Sequence, residues 1–145
     1  MSVRSYTKLW VHLVWGTYNH EKSLTDRNLR KRLSQYLYEY SETKNIYMRI
    51  NFVNADHVHA LIDLPTNISI EDTFHLIKGS SSNWINKEVS YKFLWSKGYG
   101  AFSVSESNIE TVEKYILNQE EHHRKMNFTE EYEEFLKKHN VIINR

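Results

Sequence analysis

The chain has 145 residues, 40% of them hydrophobic, a formal net charge of +1 and no cysteine. That length suits one compact domain with a proper apolar core, the missing cysteines exclude disulfides and thiolate metal sites, and the near-zero net charge argues against coating nucleic acid by bulk positive charge. No apolar run approaches the roughly 20 residues that cross a bilayer and the amino terminus lacks a signal-peptide pattern, so a single soluble domain over residues 1–145, cytoplasmic and away from membranes, is expected.

Residues 8–15 read as a buried strand rich in Val, Leu and Trp, closed by Gly16-Thr17. Leu29, Leu33, Tyr36, Leu37 and Tyr40 then recur at helical spacing and predict a helix over about 26–44. Residues 46–54 form a second strand, and Asn54-Ala55-Asp56 turns the chain into a third over 57–64, stopped by Pro65. Ser69 with Asp72 resembles a capping box for a helix carrying Ile70, Phe74, Ile77 and Trp84. Gly79-Ser80-Ser81-Ser82 weakens the middle of that helix and leaves room for a close backbone or a phosphate, with ordinary helix packing the simpler reading. A fourth strand fits residues 99–105, Ser107 and Glu110 suggest a second capping box opening a helix over about 108–125, and a short amphipathic tail helix fits 129–138.

This order of strand, helix, strand, strand, helix, strand, helix is the split β-α-β pattern of an α+β, ferredoxin-like domain: a four-stranded antiparallel sheet with an added carboxy-terminal helix. The first two helices are expected to cover one sheet face and leave the other available. Alternation along the third strand puts Val58, Ala60, Ile62 and Leu64 on one face and His57, His59, Leu61 and Asp63 on the other, so the histidines point away from the main core. Two basic clusters stand out: Arg27, Arg30, Lys31 and Arg32, and His122, His123, Arg124 and Lys125. Each reads first as a solvated face and second as a nucleic-acid contact.

His57 and His59 on one strand face make a two-point metal site, although His-x-His alone is a weak signal. The helix after the fourth strand adds a second clue. Ile109, Val112 and Ile116 mark its apolar stripe, and Gln119 falls about 20° from Val112 on that track, with Tyr115 one turn before it. The plain reading is an interfacial tyrosine and a satisfied buried amide. Laid over the open sheet face, the same helix brings Gln119 Oε1 towards a cation on His57 and His59, with Tyr115 beside it. Two imidazoles and an amide oxygen leave positions on a divalent ion free for phosphate oxygens, and a tyrosine next to such an ion is a nucleophile for phosphodiester cleavage.

At these residues the chain resembles the HUH superfamily of single-strand DNA nucleases, and within it the one-tyrosine transposases of small insertion sequences and their REP-associated relatives. His57-Val58-His59, within Asp56-His57-Val58-His59, resembles the HUH motif, and the segment from Tyr115 to Gln119 resembles the tyrosine-x-x-x-glutamine helix motif. Leu13-Val14-Trp15-Gly16-Thr17, Ile77-Lys78-Gly79-Ser80-Ser81 and residues 95–105 look like family segments in the expected order, so the resemblance spans roughly residues 5–125. It implies Tyr115 as nucleophile, His57, His59 and Gln119 as ligands of Mg²⁺ or Mn²⁺, and a 5′-phosphotyrosine intermediate. It also implies a single-stranded DNA substrate with imperfect hairpins and a homodimer. A noncatalytic nucleic-acid-binding protein of the same fold and a hydrolase using water as nucleophile are the competing expectations.

Overall fold

The computed structural model describes residues 5–123 and 125–141, with the side chains of residues 122 and 123 outside the description. Its strands are β1 (Trp10–Gly16), β2 (Tyr47–Val53), β3 (His57–Asp63) and β4 (Gly100–Ser103). They form one antiparallel sheet in the order β2-β3-β1-β4, with β1 and β3 in the centre. The helices are α1 (Arg27–Thr43), α2 (Ile70–Glu88), α3 (Ile109–Leu117), α4 (Gln119–His123) and α5 (Phe128–Lys138). The elements follow in the order expected from the sequence as far as β4, and the fold is α+β.

Local chemistry sets most of the boundaries. Asp26 caps α1 by accepting from the Asn28 amide, and Asn45, at φ 59°, takes the left-handed conformation that stops the helix. Ser69 caps α2 by accepting from the Asp72 amide at 3.0 Å. The helix then runs unbroken past Gly79. Ser81 explains the small residues there: its hydroxyl donates to the Ile77 carbonyl at 2.6 Å and accepts from Trp95 Nε1 at 3.0 Å, which is helix packing rather than a ligand cradle.

The second capping box does not form. A 3-10 turn over Glu106–Asn108 precedes α3, Asn108 offers no side-chain cap, and Ser107 Oγ meets Ser105 Oγ instead. The helix expected over about 108–125 is interrupted at Asn118, so Tyr115 lies on α3 and Gln119 opens α4. Much of the second basic cluster lies outside the described residues.

Val11, Leu13 and Trp15 of β1 and Val58, Ala60 and Ile62 of β3 meet Leu29, Leu33 and Leu37 of α1 and Phe74, Ile77 and Ile85 of α2 in the main core. Each buried Val, Leu, Ile or Phe among them contributes roughly 1.5–3 kcal/mol. The opposite face differs from the expectation that it would stand open. Trp10, Ile50 and Leu61 pack with Ile109 and Ile116 of α3, while Val14 and Phe102 pack with Phe128, Tyr132 and Phe135 of α5. The tail helix closes that face because its apolar stripe has nowhere else to be buried. Glycines on the strands admit it: a Cβ at Gly16 would stand 2.8 Å from the Phe128 ring, and one at Gly100 would stand 2.8 Å from Tyr132. No described helix is long and apolar enough to cross a membrane.

Candidate active site

His57 and His59 lie on the α3/α5 face of β3, paired with Gly16 and Val14 of β1, and both are fully buried. A buried imidazole needs partners at both nitrogens or it costs stability. Asp56 Oδ1 lies 2.7 Å from His57 Nδ1, and His12 Nε2 of β1 lies 2.8 Å from His59 Nδ1. These two contacts fix the rings so that both Nε2 atoms point to one place. There they meet the same atom, Glu131 Oε1 of α5, at 3.3 Å from His57 and 2.9 Å from His59. The other oxygen of Glu131 accepts a hydrogen bond from the Tyr115 hydroxyl. Phe128 stacks flat on His57 at 4.0 Å between centroids, and Phe135 packs edge-on to His12 and Tyr115.

The tyrosine helix therefore reaches the histidine pair of its own chain, with the Tyr115 and His59 rings 5.8 Å apart. Gln119, fully buried at the start of α4, stands one step further out. Its Oε1 accepts from Asn54 Nδ2 at 3.3 Å, and that same Asn54 nitrogen lies 3.1 Å from His57 Nε2. Its Nε2 donates to the Tyr115 carbonyl at 3.3 Å. Of the four residues singled out from the sequence, His57, His59 and Tyr115 thus meet at Glu131, and Gln119 joins them through Asn54 and the Tyr115 backbone.

Electrostatics follow from this geometry. Burial works against a charged His57, yet its hydrogen bonds to Asp56 and Glu131 outweigh that and raise its pKa. Burial, reinforced by His59, holds His12 well below the ordinary histidine value, so it stays neutral. Burial opposes ionisation of Glu131, but hydrogen bonds from His57 and His59 prevail and hold it far below the usual carboxylate range. Burial and the Glu131 carboxylate push Tyr115 well above an ordinary phenol. As arranged, Glu131 is the anion and Tyr115 keeps its proton.

Ligand atoms of His57, His59 and Glu131 all lie within 4.8 Å of one another. Two imidazoles whose far nitrogens are held by a carboxylate and a second ring, together with carboxylate and amide oxygens, are a donor set that fits a divalent cation. Sequence reasoning did not single out Glu131 or His12. Both carried a signal of the kind that exposed Gln119: Glu131 interrupts the apolar track of Phe128, Tyr132 and Phe135, and His12 is the one polar side chain inside Trp10-Val11-His12-Leu13-Val14-Trp15. Beside Tyr115 opens a cavity of about 310 Å³ lined by His12, Phe102, Val112, Glu131, Glu134 and Phe135.

Residues 5–119 match the family profile described as "Transposase IS200 like". The chain belongs to that family. Two relatives, transposases for insertion sequence element IS200 from Salmonella typhimurium and Salmonella typhi, are each 26% identical over 97 residues, covering 62% of this chain and 63% of theirs. The matched part thus falls short of two thirds of these IS200 relatives' length. A solved Deinococcus radiodurans structure designated a transposase superposes with a TM-score of 0.65 at 25% identity, over 82% of this chain and 97% of that one. A REP-associated tyrosine transposase solved with a REP hairpin shares the fold at a TM-score of 0.55 and 14% identity, over 80% of this chain and 67% of its own. The match to the IS200-like family ends at Gln119, so α5 and Glu131 lie beyond it.

Proposed function

We propose that this IS200-like family member is a metal-dependent single-stranded DNA transposase that nicks and rejoins DNA at hairpin-bearing element ends. The single observation that carries the reading is the convergence of His57 Nε2, His59 Nε2 and the Tyr115 hydroxyl on one carboxylate. Tyr115 is the nucleophile. Its oxygen gives up its proton and bonds to phosphorus as the bond from phosphorus to the 3′ oxygen breaks, and the departing 3′ oxygen takes up a proton, leaving a 5′-phosphotyrosine and a free 3′ hydroxyl; the reverse attack rejoins strands.

His57, His59 and Gln119 are the proposed ligands, with Glu131 available to the same ion. A cation of the Mg²⁺ or Mn²⁺ type held there supplies neutralisation of the phosphate oxygens and favours the phenolate. Asp56 and His12 keep each ligand ring in the tautomer that presents Nε2. Glu131 Oε2, already the acceptor of the Tyr115 proton's hydrogen bond, holds the hydroxyl next to the histidine pair. Phe128 covers the face of the His57 ring, and Phe135 packs against His12 and Tyr115. The proposed partners are single-stranded DNA with imperfect hairpins and a second copy of the chain.

The experiment is covalent capture. Labelled single-stranded DNA carrying a hairpin, incubated with the protein and Mn²⁺, should give a denaturation-resistant adduct, and Tyr115→Phe should lower its yield by a factor on the order of 10³ or more. An undiminished adduct in that variant removes Tyr115 from the role. The second reading is a noncatalytic nucleic-acid binder of the same fold, which needs none of these residues in this arrangement. Binding without any adduct under Mg²⁺ and Mn²⁺ would put that reading first.

A further inference from the structure

We propose that a basic groove running from α1 across the edge of β2 to the turn before β3 binds the sugar-phosphate backbone of single-stranded DNA and leads it to the histidine pair. The proposal rests on the DNA reading above and names the route by which the strand approaches.

A cavity of about 280 Å³ is lined by Arg27, Arg30 and Lys31 of α1, by Phe52 of β2 and by Glu120 of α4. A second, of about 490 Å³, shares Glu120 and carries Lys22, Asn54, Asp56, Lys125 and Phe128. The two are neighbours through Glu120. Spacings of three and four residues put Arg27, Arg30 and Lys31 on one helix face, so the fold gathers what the sequence only clusters. Arg32 leaves the group: it pairs with Glu88 at 2.8 Å and lies over Trp84.

Five cations therefore meet two carboxylates, on a chain whose net charge is only +1. Both carboxylates are engaged, Glu120 with Arg27 at 3.0 Å and Asp56 with His57. Lys22, Lys31 and Lys125 have no acidic partner among the described residues. Arg30 is held in place by the carbonyls of Leu24 and Thr25 at 2.7 and 2.8 Å, a fixed cation rather than a mobile one. Phosphate groups are the complement of such a surface.

Two further features select single-stranded DNA and this direction. Phe52 pairs with His59 in the β2–β3 register, is only half-buried, and presents an aromatic wall on which an unpaired base can stack. The far end of the groove is Asn54 and Phe128, both of which touch His57. The cavity on the other side of the site, beside Tyr115, sets Glu131 and Glu134 against the one lysine Lys138, with His12 and His139, and so lacks the cationic excess of the groove.

The test is fluorescence anisotropy of a labelled twelve-nucleotide oligothymidylate against the full chain at several salt concentrations. The double variant Lys22→Glu/Lys31→Glu should bind about 10-fold or more weakly at low salt, with a logarithmic salt slope shallower by about 1.4, the loss of two phosphate contacts on a single strand. Lys87→Glu/Lys92→Glu, the same charge change outside the groove, should bind within about twofold of the parent. A blunt hairpin with no single-stranded flank should compete poorly. Unchanged affinity and slope in the double variant, or a blunt hairpin competing as well as the oligothymidylate, overturns the groove. Adduct capture by Tyr115 separates this from the reading it rests on. Capture with no effect of the double variant sinks the groove alone; groove-dependent binding with no capture upholds the groove and sinks the nicking reaction.

Discussion

On one face of the sheet Val58, Ala60 and Ile62 of β3 meet α1 and α2; on the other, from the residues between them, His57 and His59 meet α3 and α5. The same strand builds both, and its residues 57–62 are buried on both. They differ in what a neighbour must supply. The apolar face needs only volume, so shape errors cost in proportion to the space left behind. The polar face needs a specific partner atom for every buried nitrogen and oxygen, and Asp56, His12, Asn54 and Glu131 provide them. The apolar core lies on the first face and the polar constellation on the second, where the tail helix supplies Glu131.

This contrast can be broken most forcefully at Ile62. Ile62→Ala should lower unfolding free energy by about 2–5 kcal/mol in urea titrations, while adduct yield per folded molecule stays unchanged, because the cavity opens on the face away from His59. A loss of chemistry at full stability would mean that the faces are not separable. Glu131→Gln keeps the shape of the side chain and removes its charge, and a loss of about 1–3 kcal/mol is expected from the weakened bonds to His57, His59 and Tyr115. An unchanged urea midpoint would show that α5 docks through its aromatic residues alone.

His12→Asn leaves His59 Nδ1 short of its partner, and Mn²⁺ affinity by titration calorimetry should fall about 10–100-fold. An unaltered affinity would remove His12 from the orienting role. The smallest change is expected on the solvent side of α2. Gly79 lies inside the helix with nothing within 4 Å of a built Cβ, so Gly79→Ala should add about 0.5–1 kcal/mol and leave DNA capture untouched.

Much of this arrangement is legible in local pattern. Alternation along β3 separates the histidines from Val58, Ala60 and Ile62, and helical spacing places Tyr115 and Gln119 on one track, because side-chain direction follows from the period of each element. Ser69 announces the start of α2, since a capping oxygen acts over three residues. Ser107 failed as such a signal: a 3-10 turn occupies the segment and Asn108 takes the cap position without using its side chain. The break at Asn118 was hidden too, as nothing in helical periodicity marks a change of axis.

The chain's own order of residues determined the strands and helices, the side of the sheet on which chemistry falls, and the identity of two histidines, a tyrosine and a glutamine as one constellation. Only the tertiary structure decided that the second face is closed, that Glu131 and His12 join the site, and that Arg27, Arg30 and Lys31 share a groove with Lys22 and Lys125. The physical reason is range. Periodicity and capping act over a few residues, whereas the pairing of His12 with His59 and of His59 with Glu131 spans 47 and 72 positions and exists only once β1, β3 and α5 have packed.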